Sequence, residues 1–313
     1  MTGVLRIGTR GSALALWQAR TVAARLEGAG VRSELVVIRT SGDQLQDAPL
    51  SETGGKRLFV KEIEDALLRG DVDAAVHSAK DMPAELPRDL SIAATLPRED
   101  PRDAIVLPDG SPAGTFEEVL AQLGSRPAIA TSSVRRVAQL TVLVPGARFL
   151  PIRGNVDTRL RKLDSGECQA LVLASAGLRR LGFGPRIATP VPVEHCIPAP
   201  GQGIVAVEIR ADDATARAAM ASLHDEAAGR ALAAERALVA ALGGGCQLPL
   251  GGLALLVDGL IDLHAVVMSI DGQRVVRSRI RARAADPAEV GRQAAGELAA
   301  AGAVEILEEV RNR

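Results

Sequence analysis

Cations and hydroxyls recur in this chain directly after short β-branched runs. Thr9-Arg10-Gly11-Ser12 follows Val4–Gly8, Ser78-Ala79-Lys80-Asp81 follows Ala74–His77, and Thr131-Ser132-Ser133-Val134-Arg135-Arg136 follows Ala128–Ala130. Arg153-Gly154-Asn155-Val156-Asp157-Thr158-Arg159 and Ala176-Gly177-Leu178-Arg179-Arg180 repeat the arrangement. Such residues suit carboxylates or phosphates: helix N-termini offer free amides, and a guanidinium grips a carboxylate with two parallel bonds where lysine is a point charge. From Arg126 to Arg180 ten basic residues face three acidic ones, so the anion chemistry is local to that stretch. Asp81 sets one carboxylate beside Lys80, where it can cap a helix, serve as general acid/base, or stabilise a cationic intermediate. Cys246 stands in the glycine-crowded loop Gly243–Gly252, either as an inert buried thiol or as a sulfur within reach of a ligand. Cys168 fits the inert reading, His77 alternates into the sheet as a core residue, and Cys196 allows either role.

These residues act together only if the fold gathers them. Val4–Gly8, Glu34–Arg39, Ala74–His77, Ser91–Thr95, Ala104–Leu107, Ala128–Ala130, Phe149–Ile152, Ala170–Leu173 and Ile204–Ile209 have the composition of strands. They alternate with helical stretches at Ala13–Gly28, Lys56–Arg69, Thr115–Leu123, Arg135–Val144 and Asp157–Ser165. That alternation predicts an α/β architecture with largely parallel sheets, whose strand ends share one edge. Two Pro-rich segments, near 97–102 and 190–203, interrupt it and predict crossings between two lobes with a cleft at the hinge. The first lobe would hold 1–97 and 203–221, and the second 102–198. After helix Glu226–Leu242, hairpin signals at Asp258-Gly259 and Asp271-Gly272 separate Leu253–Val257, Leu260–Met268 and Arg274–Ala282. With a final helix at about 287–310 they predict a third, α+β unit over 226–313 with a three-stranded antiparallel sheet.

Composition narrows the chemistry. The chain has 313 residues, 47% apolar and 24% charged, enough for two or three cores. A formal net charge of −1, 2% aromatics and no Tyr argue against a nucleic-acid binder. No stretch has signal-peptide or membrane-spanning character, so a cytoplasmic location without a membrane partner is expected. Histidines at 77, 195, 224 and 264 form no metal pair, the three cysteines have no C-x-x-C spacing, and Gly54-Gly55-Lys56 is only a fragment of a phosphate loop. No metal is expected.

Taken in order, Arg10–Gln18, Gly54-Gly55-Lys56 with Phe59–Glu62, Ala75–Pro83, Thr131–Arg136, Arg153–Arg159, Gly201-Gln202-Gly203 and Gly245-Cys246-Gln247 resemble the hydroxymethylbilane synthase, or porphobilinogen deaminase, family from residue 4 to the end. The resemblance implies two periplasmic-binding-protein-like lobes plus a C-terminal α+β domain, and a monomer. It implies a transferase that joins four porphobilinogen molecules head to tail, with loss of ammonia, on a dipyrromethane primer, and releases hydroxymethylbilane by hydrolysis. Cys246 matches the residue that tethers the primer by a thioether, and Asp81 matches the catalytic aspartate. Lys56, Ser78, Lys80, Ser133, Arg135, Arg136 and Arg159 match cofactor contacts; Arg10, Ser12, Arg153, Arg180 and Gln202 match substrate contacts. The chain departs from the family in having Glu52 where a lysine is common, with Arg57 just after Lys56. The competing reading is a non-catalytic two-lobed module that clamps a small polycarboxylate; a tethering thiol at Cys246 would have no use there.

Overall fold

Strand-forming runs of two to nine residues broken by turns assemble into three sheets. The computed structural model describes residues 3–39, 60–244, 247–283 and 285–312, so Glu52, Lys56, Arg57 and Cys246 lie outside the described residues. The first sheet contains β1 (Leu5–Thr9), β2 (Ser33–Val37), β3 (Ala74–Ser78), β4 (Leu90–Thr95) and the distant β10 (Val205–Arg210), in the order β2-β1-β3-β10-β4. Helix α1 (Ala13–Gly28) opens at Ser12, whose Oγ accepts from the Ala15 amide at 3.3 Å, the cap expected where free N–H groups need a partner. Its Val22 and Leu26 pack on Ile7, Val76 and Val207. Helix α2 (Lys61–Arg69) covers the other face through Ile63 and Leu67.

The second sheet comprises β5 (Asp103–Val106), β6 (Ala128–Ala130), β7 (Arg148–Leu150), β8 (Ala170–Ala174) and the short β9 (Thr189–Pro190), ordered β7-β6-β8-β5-β9. Helices α3 (Phe116–Leu123), α4 (Val134–Leu143), α5 (Val156–Asp164) and α6 (Ser175–Arg180) connect these strands. In each sheet β10 or β5 pairs antiparallel with both neighbours, while the other pairings are parallel. The opposed strand is in each case the one that enters directly from a crossing. The sheets are therefore mixed, and the architecture is that of two α/β lobes joined by the two crossings.

The crossings support one another. The Glu99 amide donates to the Gly203 carbonyl at 3.1 Å, and the Ala79 amide donates to Ile204 O at 3.0 Å. Gly201, with φ +75°, brings its backbone so near the 79–80 peptide that a Cβ there would lie 2.8 Å from Ala79 C and Lys80 N. A side chain at this position would meet both a left-handed backbone and a steric collision.

After α7 (Ala214–Met220), helix α8 (Glu226–Ala241) leads to the third sheet, β11 (Leu250–Val257), β12 (Leu260–Met268) and β13 (Val275–Ala282), which is antiparallel throughout. Leu238, Leu263, Val267 and Leu298 share its core with α9 (Pro287–Ala300) and α10 (Ala303–Arg311). The single final helix expected over 287–310 is thus two helices. Gly302, at φ +92°, takes the left-handed turn between them, and Ala301 before it gave too weak a stop signal to read. The sequence reading also missed α6, α7 and β9, the last a two-residue strand.

A buried ion pair joins this unit to both crossings. Arg98 Nη1 donates to Glu235 Oε1 at 2.6 Å, and Arg98 Nε donates to Gln202 O at 2.8 Å. Glu235, wholly buried, also accepts from the amides of Gly201 at 2.5 Å and Ala254 at 2.7 Å. A carboxylate this enclosed persists because each lone-pair direction has a donor.

Candidate active site

The C-terminal ends of β1 and β3 carry Arg10, Ser12, Ser78, Lys80 and Asp81; those of β6 and β8 carry Ser133, Arg135, Arg136 and Arg180. Lys80 and Asp81 occupy a 3-10 turn, Ala79–Asp81, that continues β3. Ser78 Oγ accepts from Gln18 Nε2 at 2.8 Å, which ties this turn to α1. Ser12 and Ser133 are helix caps, Ser133 accepting from the Arg136 amide at 3.5 Å.

Gln202 links the two lobes. Its Oε1 accepts from Lys80 Nζ at 3.3 Å, and its Nε2 donates to Pro101 O at 2.7 Å and to Asp103 Oδ1 at 2.8 Å. Asp103, fully buried, holds both neighbouring arginines: Arg135 Nη1 at 2.8 Å on Oδ2, and Arg136 Nη2 at 2.7 Å and Nε at 3.0 Å on Oδ1. Burial alone would push the Asp103 carboxyl up, but Arg135 and Arg136 outweigh it and hold it well below the usual carboxylate range. Arg135 and Arg136, expected to face a ligand, are themselves buried, and the remaining donor shown for Arg136, Nη1, goes to Val172 O at 2.9 Å. Cys196 joins the cluster by donating to Asp103 Oδ2 at 3.4 Å; burial and then Asp103 push its thiol up to about 12, so it is an inert thiol rather than a nucleophile.

Arg159 is placed differently. Its Nε donates to Gly154 O at 2.8 Å, and no carboxylate among the described residues lies within ion-pair distance of its guanidinium. Burial first and then the Arg136 charge lower its pKa, against the opposing pull of Asp81, to about 10. Arg159 is thus a desolvated cation within electrostatic reach of Asp81. Arg180 donates to Gly203 O at 2.6 Å and lies over Trp17, 5.5 Å from the ring centroid, which joins α6 to α1. Arg10 and Arg153 are half-buried at the same edge.

The segment that contains Cys246 is anchored on both sides. Its helix flank is held through Glu235, and on its strand flank the Gly252 amide donates to Pro198 O at 2.9 Å. His77 is a core residue, as expected; it lies 3.1 Å from Glu208 on the adjacent strand. Sequence reasoning missed Asp103, Arg98 and Glu235. The available signal was an acid at a strand start beside a crossing, and a charged pair, Glu235-Arg236, inside an Ala-rich helix. Among the described residues no group of His, Cys, Asp and Glu is arranged to hold a metal, and no helix is long and apolar enough to cross a membrane.

Two α/β lobes joined by two crossings thus gather arginines, Lys80 and Asp81 at one edge of the strand ends. Residues 5–218 match the family model "Porphobilinogen deaminase, dipyromethane cofactor binding domain", and residues 230–300 match "Porphobilinogen deaminase, C-terminal domain". A porphobilinogen deaminase of Syntrophobacter fumaroxidans is 47% identical over 309 residues, covering 98% of each chain, and one of Trichlorobacter lovleyi is 45% identical over 311 residues, covering 99% of this chain and 97% of the relative. A periplasmic substrate-binding protein of an ABC transporter from Coxiella burnetii aligns with a TM-score of 0.42 at 14% identity, over 72% of this chain and 94% of that one. The chain belongs to the porphobilinogen deaminase (hydroxymethylbilane synthase) family: it is a transferase of tetrapyrrole biosynthesis with a dipyrromethane cofactor.

Proposed function

We propose that elongation takes place at Asp81, with the dipyrromethane tethered through a thioether to Cys246 and the edge cations holding acetate and propionate groups. The donor set fits such a group. A dipyrromethane with acidic side chains offers carboxylates to guanidiniums and pyrrole N–H groups to a carboxylate, and Arg159, within electrostatic range of Asp81, completes with it both kinds of partner. That juxtaposition of a desolvated cation and a half-buried acid is the observation that carries the reading. When bound, the dipyrromethane supplies the acceptor end to which units are added and stays with the protein after product leaves.

Asp81 stabilises the positive charge that develops as porphobilinogen expels ammonia, and it accepts N–H groups of the reacting pyrroles. Arg159 binds a carboxylate directly. Arg135 and Arg136, fixed by Asp103, form a buried positive backing to it, and Lys80, held by Gln202, keeps its charge near Asp81. Ser78 and Ser133 orient this edge through Gln18 and the start of α4, while Lys56 adds a cation from its own segment. Arg10, Ser12, Arg153, Arg180 and Gln202 serve the incoming unit. The lobes comprise 1–97 with 203–221 and 102–198, the tethering unit 226–313, and the protein acts as a cytoplasmic monomer without a nucleic-acid partner.

The test is intact-mass spectrometry of the purified protein with Cys246→Ser beside it. The wild type carries the added mass of two linked pyrroles and forms product; Cys246→Ser carries no adduct and forms none. A Cys246→Ser protein that keeps both would refute the tether.

A further inference from the structure

Helix α8 does more than bring the chain to the cysteine loop. Ala228, Leu232 and Arg236 recur at intervals of four, so they form one stripe along the helix. Ala228 and Leu232 are buried with Ala79, Met82 and Ile204, which places the stripe against the segment that contains Asp81. At its end Arg236 donates from Nη1 to the Pro83 carbonyl and from Nη2 to the Ala84 carbonyl, each at 2.8 Å. A planar guanidinium on two successive carbonyls fixes the direction of the segment as well as its distance. Burial lowers the pKa of Arg236, against the opposing pull of Glu208 on β10 and Glu64 on α2. Both glutamates are buried, so the cation has its counter-charge inside the protein.

The turn that carries Asp81 is therefore held on both sides. Ahead of it, Ala79 N is bonded to Ile204 O and Lys80 to Gln202. Behind it, buried Met82 and the Arg236 fork are the restraints, and Pro83 fixes its own φ between them. Past Arg236 the helix continues only to Ala241, about 7.5 Å at 1.5 Å per residue, before the glycines that precede Cys246.

We infer that Arg236 is a positioning residue for the reaction: it locks the peptide after Asp81 to α8, and so holds the aspartate in register with that helix. This rests on the roles proposed above for Asp81 and Cys246. The residue touches neither substrate nor cofactor; it acts through the Pro83-Ala84 backbone.

The experiment compares full-length Arg236→Gln, Arg236→Lys and Asp81→Ala with the wild type by intact mass, thermal midpoint, and kcat and KM for porphobilinogen. Arg236→Gln is expected to keep the covalent primer and a cooperative melt, while kcat falls on the order of 10- to 100-fold, the cost of a misplacement near 1 Å, with KM unchanged. That split marks an interaction felt only in the transition state. Arg236→Lys, whose ammonium reaches one carbonyl, should recover part of the loss. Wild-type kcat in Arg236→Gln with Asp81→Ala inactive would overturn the inference and leave the reading of Asp81 intact. Wild-type turnover in Asp81→Ala would remove that reading and the inference with it. Failure of both Arg236 variants to fold, or a kcat loss that only tracks the folded fraction, would overturn positioning and make Arg236 a scaffold residue.

Discussion

At the scale of single residues, the described arginines of the site differ in what holds them. Arg135 and Arg136 have Asp103, whereas Arg159 is held in a desolvated place with Asp81 only at electrostatic range. Keeping that charge costs folding free energy. Between the native pKa of about 10 and the higher value of an ordinary guanidinium the unfolded chain binds a proton that the folded chain has lost. The penalty is thus present at neutral pH and relieved as pH rises through about 10. Arg159→Met should therefore raise the thermal midpoint at pH 7 by a few degrees while raising KM for porphobilinogen, a trade of stability for function. Calorimetry and steady-state kinetics on the one variant check this, and a lowered midpoint would contradict it. The sequence showed that arginines gather after strands; it did not show which would be claimed from within. That division depends on Asp103, whose approach to Arg135 and Arg136 exists only after β5 has paired with β8.

At the scale of elements, local signals were legible where they were chemically specific. Helix α1 runs over Ala13–Gly28 as read, because Ser12 caps it and glycines lie at its far end. β12 likewise spans Leu260–Met268 between two turn signals. The split of the last helix and the two-residue β9 escaped detection because Ala-Gly and Thr-Pro leave several conformations open until tertiary packing selects one. The Gly-Gln-Gly crossing was visible as a motif, and its reason is contact: Gly201 leaves no room for a methyl against the turn before Asp81. Gly201→Ala should lower the thermal midpoint by several degrees and reduce kcat by more than its loss of folded protein explains, since it pushes on the peptide of Lys80. Melting curves and kcat at a temperature where the variant is fully folded would show this. Unaltered kcat there would mean that the crossing gives way without moving the turn.

At the scale of the whole molecule, Glu235 and Arg98 fasten the third unit to both crossings, so α8, β11 and the two crossings share one buried junction. The two opposed strands have a further effect on how the protein is made. β10 lies between β3 and β4, so a growing polypeptide that has emerged only as far as residue 95 has a sheet with the place between β3 and β4 empty. At about 5–20 residues per second, the wait for β10 is on the order of ten seconds, during which β3 and β4 expose unpaired edges. The second sheet, contiguous in the chain, needs no such wait. In refolding of the whole chain the same separation makes β3 and β10 close the longer loop, so amides of β5, β6 and β8 should become protected from pulse-labelled exchange before those of β3 and β4, and simultaneous protection would exclude this order. A strand translated after the whole second lobe closes the first sheet, so the amino-terminal lobe is completed after its neighbour although its own translation begins first.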